Sequence, residues 1–119
     1  MQFMLIFSEP ASETAKRRDP SQGEKYWGAW NAYIGAMQGA GIIVSGNVLE
    51  APETGTTVRV RDGKRLVQDG PYADAKEHLG GYVIIEVASL DVALEWAARS
   101  PASVSGATEV RPVMPPPPR

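Results

Sequence analysis

The chain has 119 residues, 43% hydrophobic and 22% charged, with a formal net charge of −2. This suits one globular domain with a modest core and argues against disorder along the whole length. The balance of 12 basic against 14 acidic residues excludes the basic footprint of a nucleic-acid binder, and the lack of cysteine excludes disulfides, thiolate nucleophiles and thiolate metal sites.

Phe3 to Phe7 is a short apolar run, read as a strand covered on both faces. The N-terminus has neither the basic region nor the small-residue cleavage site of a signal peptide, and no stretch approaches a membrane span. A soluble, cytoplasmic protein with no membrane partner is the expectation. Ser8 to Pro20 reads as a loop, and its basic cluster Lys16-Arg17-Arg18 as solvated. Ser21-Gln22-Gly23-Glu24 has capping-box spacing. Beyond it Trp27, Trp30, Ile34 and Met37 recur at helical spacing, with Tyr33 beside them, and predict a helix from about Gln22 to Gly39.

Ile42 to Leu49 reads as a second strand. Thr57 to Arg61 alternates, with Val58 and Val60 on one face and Arg59 and Arg61 on the other. Asp62-Gly63 is a hairpin turn with Leu66 and Val67 on the return arm, and Asp69-Gly70-Pro71-Tyr72 is a further turn. Ala73 to Leu79 is too short to assign firmly as a helix, and Gly80-Gly81 closes it. Tyr82 to Val87 is a strand. Ser89 caps a helix with Leu90, Ala93, Leu94 and Ala97 as its stripe and Ser100-Pro101 as its stop. Ala107 to Met114 is a last strand, with Pro112 favouring an edge.

Setting the hairpin aside as an insertion, the order βαββαβ predicts an α+β, ferredoxin-like split βαβ domain over residues 1–114, with a proline-rich tail at 115–119. Both helices then lie on one face of an antiparallel sheet. The simplest cover for the other face is a second copy, so a homodimer is expected.

The run Asp69-Gly70-Pro71-Tyr72-Ala73-Asp74-Ala75-Lys76-Glu77-His78-Leu79-Gly80-Gly81-Tyr82 resembles the signature of the DGPF group of YCII-related proteins, with Tyr72 where the group usually has phenylalanine. Thr56 to Gly63, Ala93 to Ala98 and Glu109 to Met114 resemble the strand before the signature, the second helix and the last strand of that group. The resemblance implies a dimeric α+β barrel of ferredoxin-like protomers in a bacterial cytoplasm. It also implies that some relatives are enzymes, including a dehydrochlorinase of a chlorinated aromatic diol, in which a histidine on the first helix pairs with an aspartate after the second. Here the first helix carries Trp27, Trp30, Asn31 and Tyr33 but no histidine, and Ser100 stands at the aspartate's place.

His78, the only histidine, is a candidate general base, or a partner of Asp69 or Asp74; its plainer reading is a partly exposed turn residue. Asp69 reads as a turn cap, or else as a pocket residue that orients a ligand or acts as a base. Lys76 and Glu77 read as a solvated pair, Arg59 and Arg61 as residues of a dimer rim or partners of an acidic ligand. Trp27, Trp30 and Tyr33 read as core, or as the lining of a flat aromatic pocket shared with Asp69 and Tyr72. The chain has no phosphate-binding glycine loop and no set of metal ligands, so neither a cofactor nor a metal is expected. Two functions compete. One is a small-ligand-binding or regulatory module taking an aromatic or acidic ligand. The other is a small cofactor-free enzyme, of lyase or oxygenase type, acting on aromatic or phenolic compounds.

Overall fold

A computed structural model describes residues 1–72 and 75–118; Ala73 and Asp74 of the signature, and with them the pairing of His78 with Asp74, lie outside the described residues. In chain order the elements are strand β1 (Gln2–Pro10), helix α1 (Ala11–Thr14), a 3-10 turn (Ala15–Arg18), helix α2 (Gly23–Gly39), strands β2 (Ile43–Val48), β3 (Thr56–Arg61), β4 (Lys64–Asp69) and β5 (Glu77–Glu86), helices α3 (Leu90–Ala98) and α4 (Pro101–Ser105), and strand β6 (Ala107–Pro112).

Four strands form an antiparallel sheet in the order β2-β5-β1-β6, while β3 and β4 pair only with each other. This is the ferredoxin-like order with the hairpin inserted between its second and third strands. Asp62 and Gly63 both take positive φ (52° and 75°), the backbone of a two-residue type I′ turn.

The core follows from period two on the strands. Phe3, Leu5 and Phe7 of β1 and Val83 and Ile85 of β5 point one way. They meet Tyr33 and Met37 of α2 and Ala93 and Ala97 of α3, so both helices cover the same sheet face. The alanines carry little bulk, which lets α3 lie close to the sheet. On the other face Met4, Ile6, Tyr82 and Ile84 are only partly covered. The strand expected to be covered on both faces is thus fully buried on one. The molecule is a slab of 52 × 48 × 18 Å, with a radius of gyration of 16.3 Å. A compact chain of this length would have about 13.5 Å.

Four local expectations change. Ser8 to Pro20, expected as a loop with a solvated basic cluster, instead carries β1 on to Pro10 and then forms α1 and the 3-10 turn, where the Arg17 side chain is 12% exposed and pairs with Glu9. The start of α2 is not held by a capping box. Asp19 accepts instead from the backbone N–H groups of Ser21 (2.7 Å) and Gln22 (3.1 Å) and from the Ser21 hydroxyl, which lowers its carboxyl pKa. β5 begins at Glu77 and runs through Gly80-Gly81, because Gly81 allows close approach of β2 and Gly80 leaves room for the Arg17 side chain, rather than the pair acting as a stop. Ser100-Pro101 ends α3 and at once starts α4: the serine hydroxyl accepts from Ala102 N–H at 3.1 Å, and proline occupies the first turn. Ser89 caps α3 as expected, accepting from Val92 N–H.

Candidate functional site

A cavity of about 370 Å³ lies between α2 and the β2–β5 side of the sheet. Residues 27, 30, 31, 34 and 38 of α2 reach it because they recur every three or four positions and share one helix face. Trp27, Trp30 and Ile34, with Phe7 and Val83 from the sheet, give it an apolar lining; Asn31, Gln38 and Asn47 add amides. Strand glycines complete the wall. A Cβ on Gly46 would come within 2.8 Å of the Tyr82 carbonyl oxygen, and one on Gly81 within 2.8 Å of the Asn47 carbonyl oxygen. At Gly80 it would meet Arg17 Nη2 at 3.0 Å.

The same wall contains a charged cluster. Glu9 is 4% exposed, at the end of β1 and in phase with Phe3, Leu5 and Phe7. Its Oε1 accepts from Thr14 Oγ1 (2.9 Å) and the Tyr26 hydroxyl (2.8 Å) and forms an ion pair with Arg17 Nη2 (3.2 Å). Its Oε2 accepts from the Tyr26 hydroxyl, also at 2.8 Å. Arg17 donates to Tyr26 Oη (from Nε, 3.0 Å), Leu49 O (from Nη1, 2.5 Å) and Gly80 O (from Nη2, 3.2 Å). It also lies 5.6 Å from the Trp27 ring centroid and 5.8 Å from that of Tyr26. Burial pushes the Tyr26 phenol up to about 12; the hydrogen bond from Arg17 opposes the rise and Glu9 adds to it.

Of the residues singled out from sequence, Trp27 and Trp30 line the cavity. Tyr33 packs edge-on against Phe7 and Trp30 in the core and donates its hydroxyl to the Trp96 carbonyl at 2.8 Å; burial raises its pKa to about 12. Asp69 ends the exposed strand β4 opposite Thr56. The turn after it is held by Gly70 N–H donating to Gly55 O and by the Thr57 hydroxyl donating to Gly70 O. Tyr72 is 78% exposed, 5.1 Å from the Arg59 guanidinium. His78 is partly exposed on β5 and faces a second hollow beside Leu49, Pro52 and Glu77. The structure therefore groups the two tryptophans and leaves Asp69, Tyr72 and His78 away from the cavity wall. Ser100 is fully buried as the cap of α4. Glu9, Arg17 and Tyr26 were not anticipated. Glu9 had one signal, a carboxylate on the apolar parity of β1; Arg17 had none, being one of three adjacent basic residues. Among the described residues no group of three or more His, Cys, Asp or Glu stands close enough to hold a metal. Among the described residues no helix is long and apolar enough to cross a membrane.

Comparison with known proteins agrees with this architecture. An uncharacterised protein of Rhizobium meliloti (strain 1021) is 48% identical over 59 residues, and the matched segment covers 48% of each chain. The match thus spans about half the length of that relative. The solved structure of 5-chloro-2-hydroxyhydroquinone dehydrochlorinase (TftG) from Burkholderia phenoliruptrix AC1100, in complex with 2,5-dihydroxybenzoquinone, superposes with a TM-score of 0.55 over 96% of this chain and 94% of that one. At 18% identity the likeness is one of fold. The YCII-related domain matches residues 1–116, and with that span the chain belongs to the YCII-related family.

Proposed function

We propose that this protein binds a small planar aromatic molecule in the cavity between α2 and the sheet, as a ligand-binding or regulatory module of a homodimer in a bacterial cytoplasm. The observation that carries the reading is the cavity itself: about 370 Å³, walled by Trp27, Trp30, Phe7 and Ile34 and kept open by strand glycines. Apolar, aromatic-lined concavities of this size with a few convergent polar groups are the usual form of a small-molecule site. The aromatic ligand of the fold neighbour supports the ligand class. The module reading is favoured because His78 and Asp69 lie off the wall and no histidine is on α2.

The dimer is supported by the half-covered outer face of Met4, Ile6, Tyr82 and Ile84 and by the slab shape. The hairpin's exposed Val58, Val60 and Val67 add apolar surface for a partner copy. Sedimentation equilibrium reads it directly: twice the monomer mass of 12.8 kDa is expected, and a monomer at micromolar concentration refutes it.

A second reading, a cofactor-free enzyme on phenolic compounds, is favoured by the buried Glu9–Tyr26 pair in the wall. Proton transfer needs such a group within hydrogen-bond reach of substrate. Titration with phenols, catechols and small carboxylates, followed by tryptophan fluorescence and melting temperature, tests the binding function. Saturable quenching that Trp30→Ala weakens is expected. No response across the panel would sink it. Turnover of a bound phenol would move the protein to the enzyme reading.

A further inference from the structure

We infer that Glu9 is the polar anchor of this cavity and makes it selective for ligands that donate a hydrogen bond, such as phenols and catechols, over aromatic carboxylates and aryl ethers. The inference rests on the cavity being a ligand site. The reasoning is an account of donors and acceptors. A carboxylate offers about four lone-pair positions on its two oxygens. In Glu9, Oε1 receives Thr14 and Tyr26 and lies 3.2 Å from Arg17 Nη2 as an ion pair, whereas Oε2 receives only the Tyr26 hydroxyl, which it shares with Oε1. Oε2 therefore keeps room for one more donor.

Most of the neighbouring donors are already committed. The Tyr26 hydroxyl is held by Glu9, and the Trp27 indole N–H donates to the Arg17 carbonyl at 3.1 Å. Arg17 directs Nε, Nη1 and Nη2 to protein oxygens, and its charge is matched by Glu9 at 3.2 Å. A cation in this state is a poor receptor for a second carboxylate, which would also face Glu9. The strongest open group at this end is an acceptor. Next to it the rings of Trp27 and Trp30 and the side chain of Ile34 offer apolar surface for a flat ring. A ring bearing a hydroxyl fits both halves. An ether lacks the proton, and a carboxylate has the wrong charge.

The test uses three probes of like size: 2-naphthol, 2-methoxynaphthalene and 2-naphthoate, titrated into the full chain by calorimetry. A hydrogen bond to a charged acceptor predicts that naphthol binds at least about tenfold more tightly than its methyl ether, with naphthoate weaker than naphthol. Asn31→Trp, which narrows the cavity from an exposed helix position, should weaken all three. Glu9→Gln should reduce the naphthol preference at least about threefold, since a neutral acceptor is roughly half as strong. If that variant does not fold, Glu9→Leu/Arg17→Met removes both charges together and should erase the preference for naphthol over the ether. Equal binding of naphthol and ether, with Asn31→Trp weakening both, overturns the role of Glu9 and leaves the cavity as a site. Tighter binding of naphthoate overturns it in favour of Arg17 as anchor. No saturable heat with any probe removes the aromatic-site reading and this inference with it.

Discussion

Replacing Arg17 by methionine tests whether the charged cluster holds the protein together as its geometry implies. The change keeps a long apolar stem and removes the charge. It leaves Glu9, whose side chain is 5% exposed, without its counter-ion at 3.2 Å, and it frees the carbonyls of Leu49 and Gly80. Breaking a buried pair by removing one partner costs about 3–5 kcal/mol, because a charge is left in a low-dielectric site. The unfolding entropy of a chain this long is about 0.25 kcal/mol/K, so each kcal/mol corresponds to roughly 4 °C. Arg17→Met should therefore melt about 12–20 °C below the wild type. Calorimetry or circular dichroism reads the shift. The double variant Glu9→Leu/Arg17→Met should recover most of it, since neither charge remains to be desolvated. A single variant within about 1 kcal/mol of wild type, or a double variant with no recovery, would refute the account: the pair would then be behaving like a solvated surface contact.

Other outcomes follow from local geometry. Gly106→Ala should destabilise severely, because the added Cβ overlaps the backbone carbonyl of Ser8 on β1; a melting temperature near wild type would contradict this. Ser100→Ala removes the α4 cap from a fully buried position and should cost about 1 kcal/mol by denaturant titration; no loss would remove the capping role. Asp69→Ala should change stability by less than about 0.5 kcal/mol, since Asp69 is exposed and the turn is held by Gly70, Gly55 and Thr57; a larger loss would restore the carboxylate as a cap. Tyr26 and Tyr33 both have phenols raised from 10 to about 12. Their contribution is whole below pH 10 and is lost as pH rises through about 12, so melting temperature should fall across that window. Tyr33→Phe should shallow the fall, and an unchanged slope would show that Tyr33 is not the group responsible.

The elements were largely legible because their signals are local. The helical spacing of Trp27, Trp30, Ile34 and Met37 placed α2 to within a residue at its start. Asp62-Gly63 placed the hairpin turn, and Pro112 lies on an edge strand as a proline must. What was not legible depends on contacts distant in sequence. Gly80-Gly81 reads as a breaker until the carbonyl of Asn47 on the neighbouring strand is seen 2.8 Å from where a Cβ of Gly81 would stand. Arg17 gains its role from Leu49 and Gly80, 32 and 63 residues away. Glu9 was within reach of reasoning, since counting in twos from Phe3 arrives at it. Pro10 next to it reads as loop and hides that parity.

The β3–β4 hairpin is fastened at its base by the 2.7 Å hydrogen bond from Gly70 N–H to Gly55 O, and among the described residues its strands pair with no other strand. The excursion between those glycines is a cassette: its two ends already meet, so a short loop can replace it without disturbing the register of the four-stranded sheet. The hairpin's share of the proposed dimer contact and ligand capture then become separable by surgery. A chain trimmed of the cassette retains its cavity and loses whatever the exposed valines hold, which makes the excision a means of assigning each phenotype to one half of the molecule.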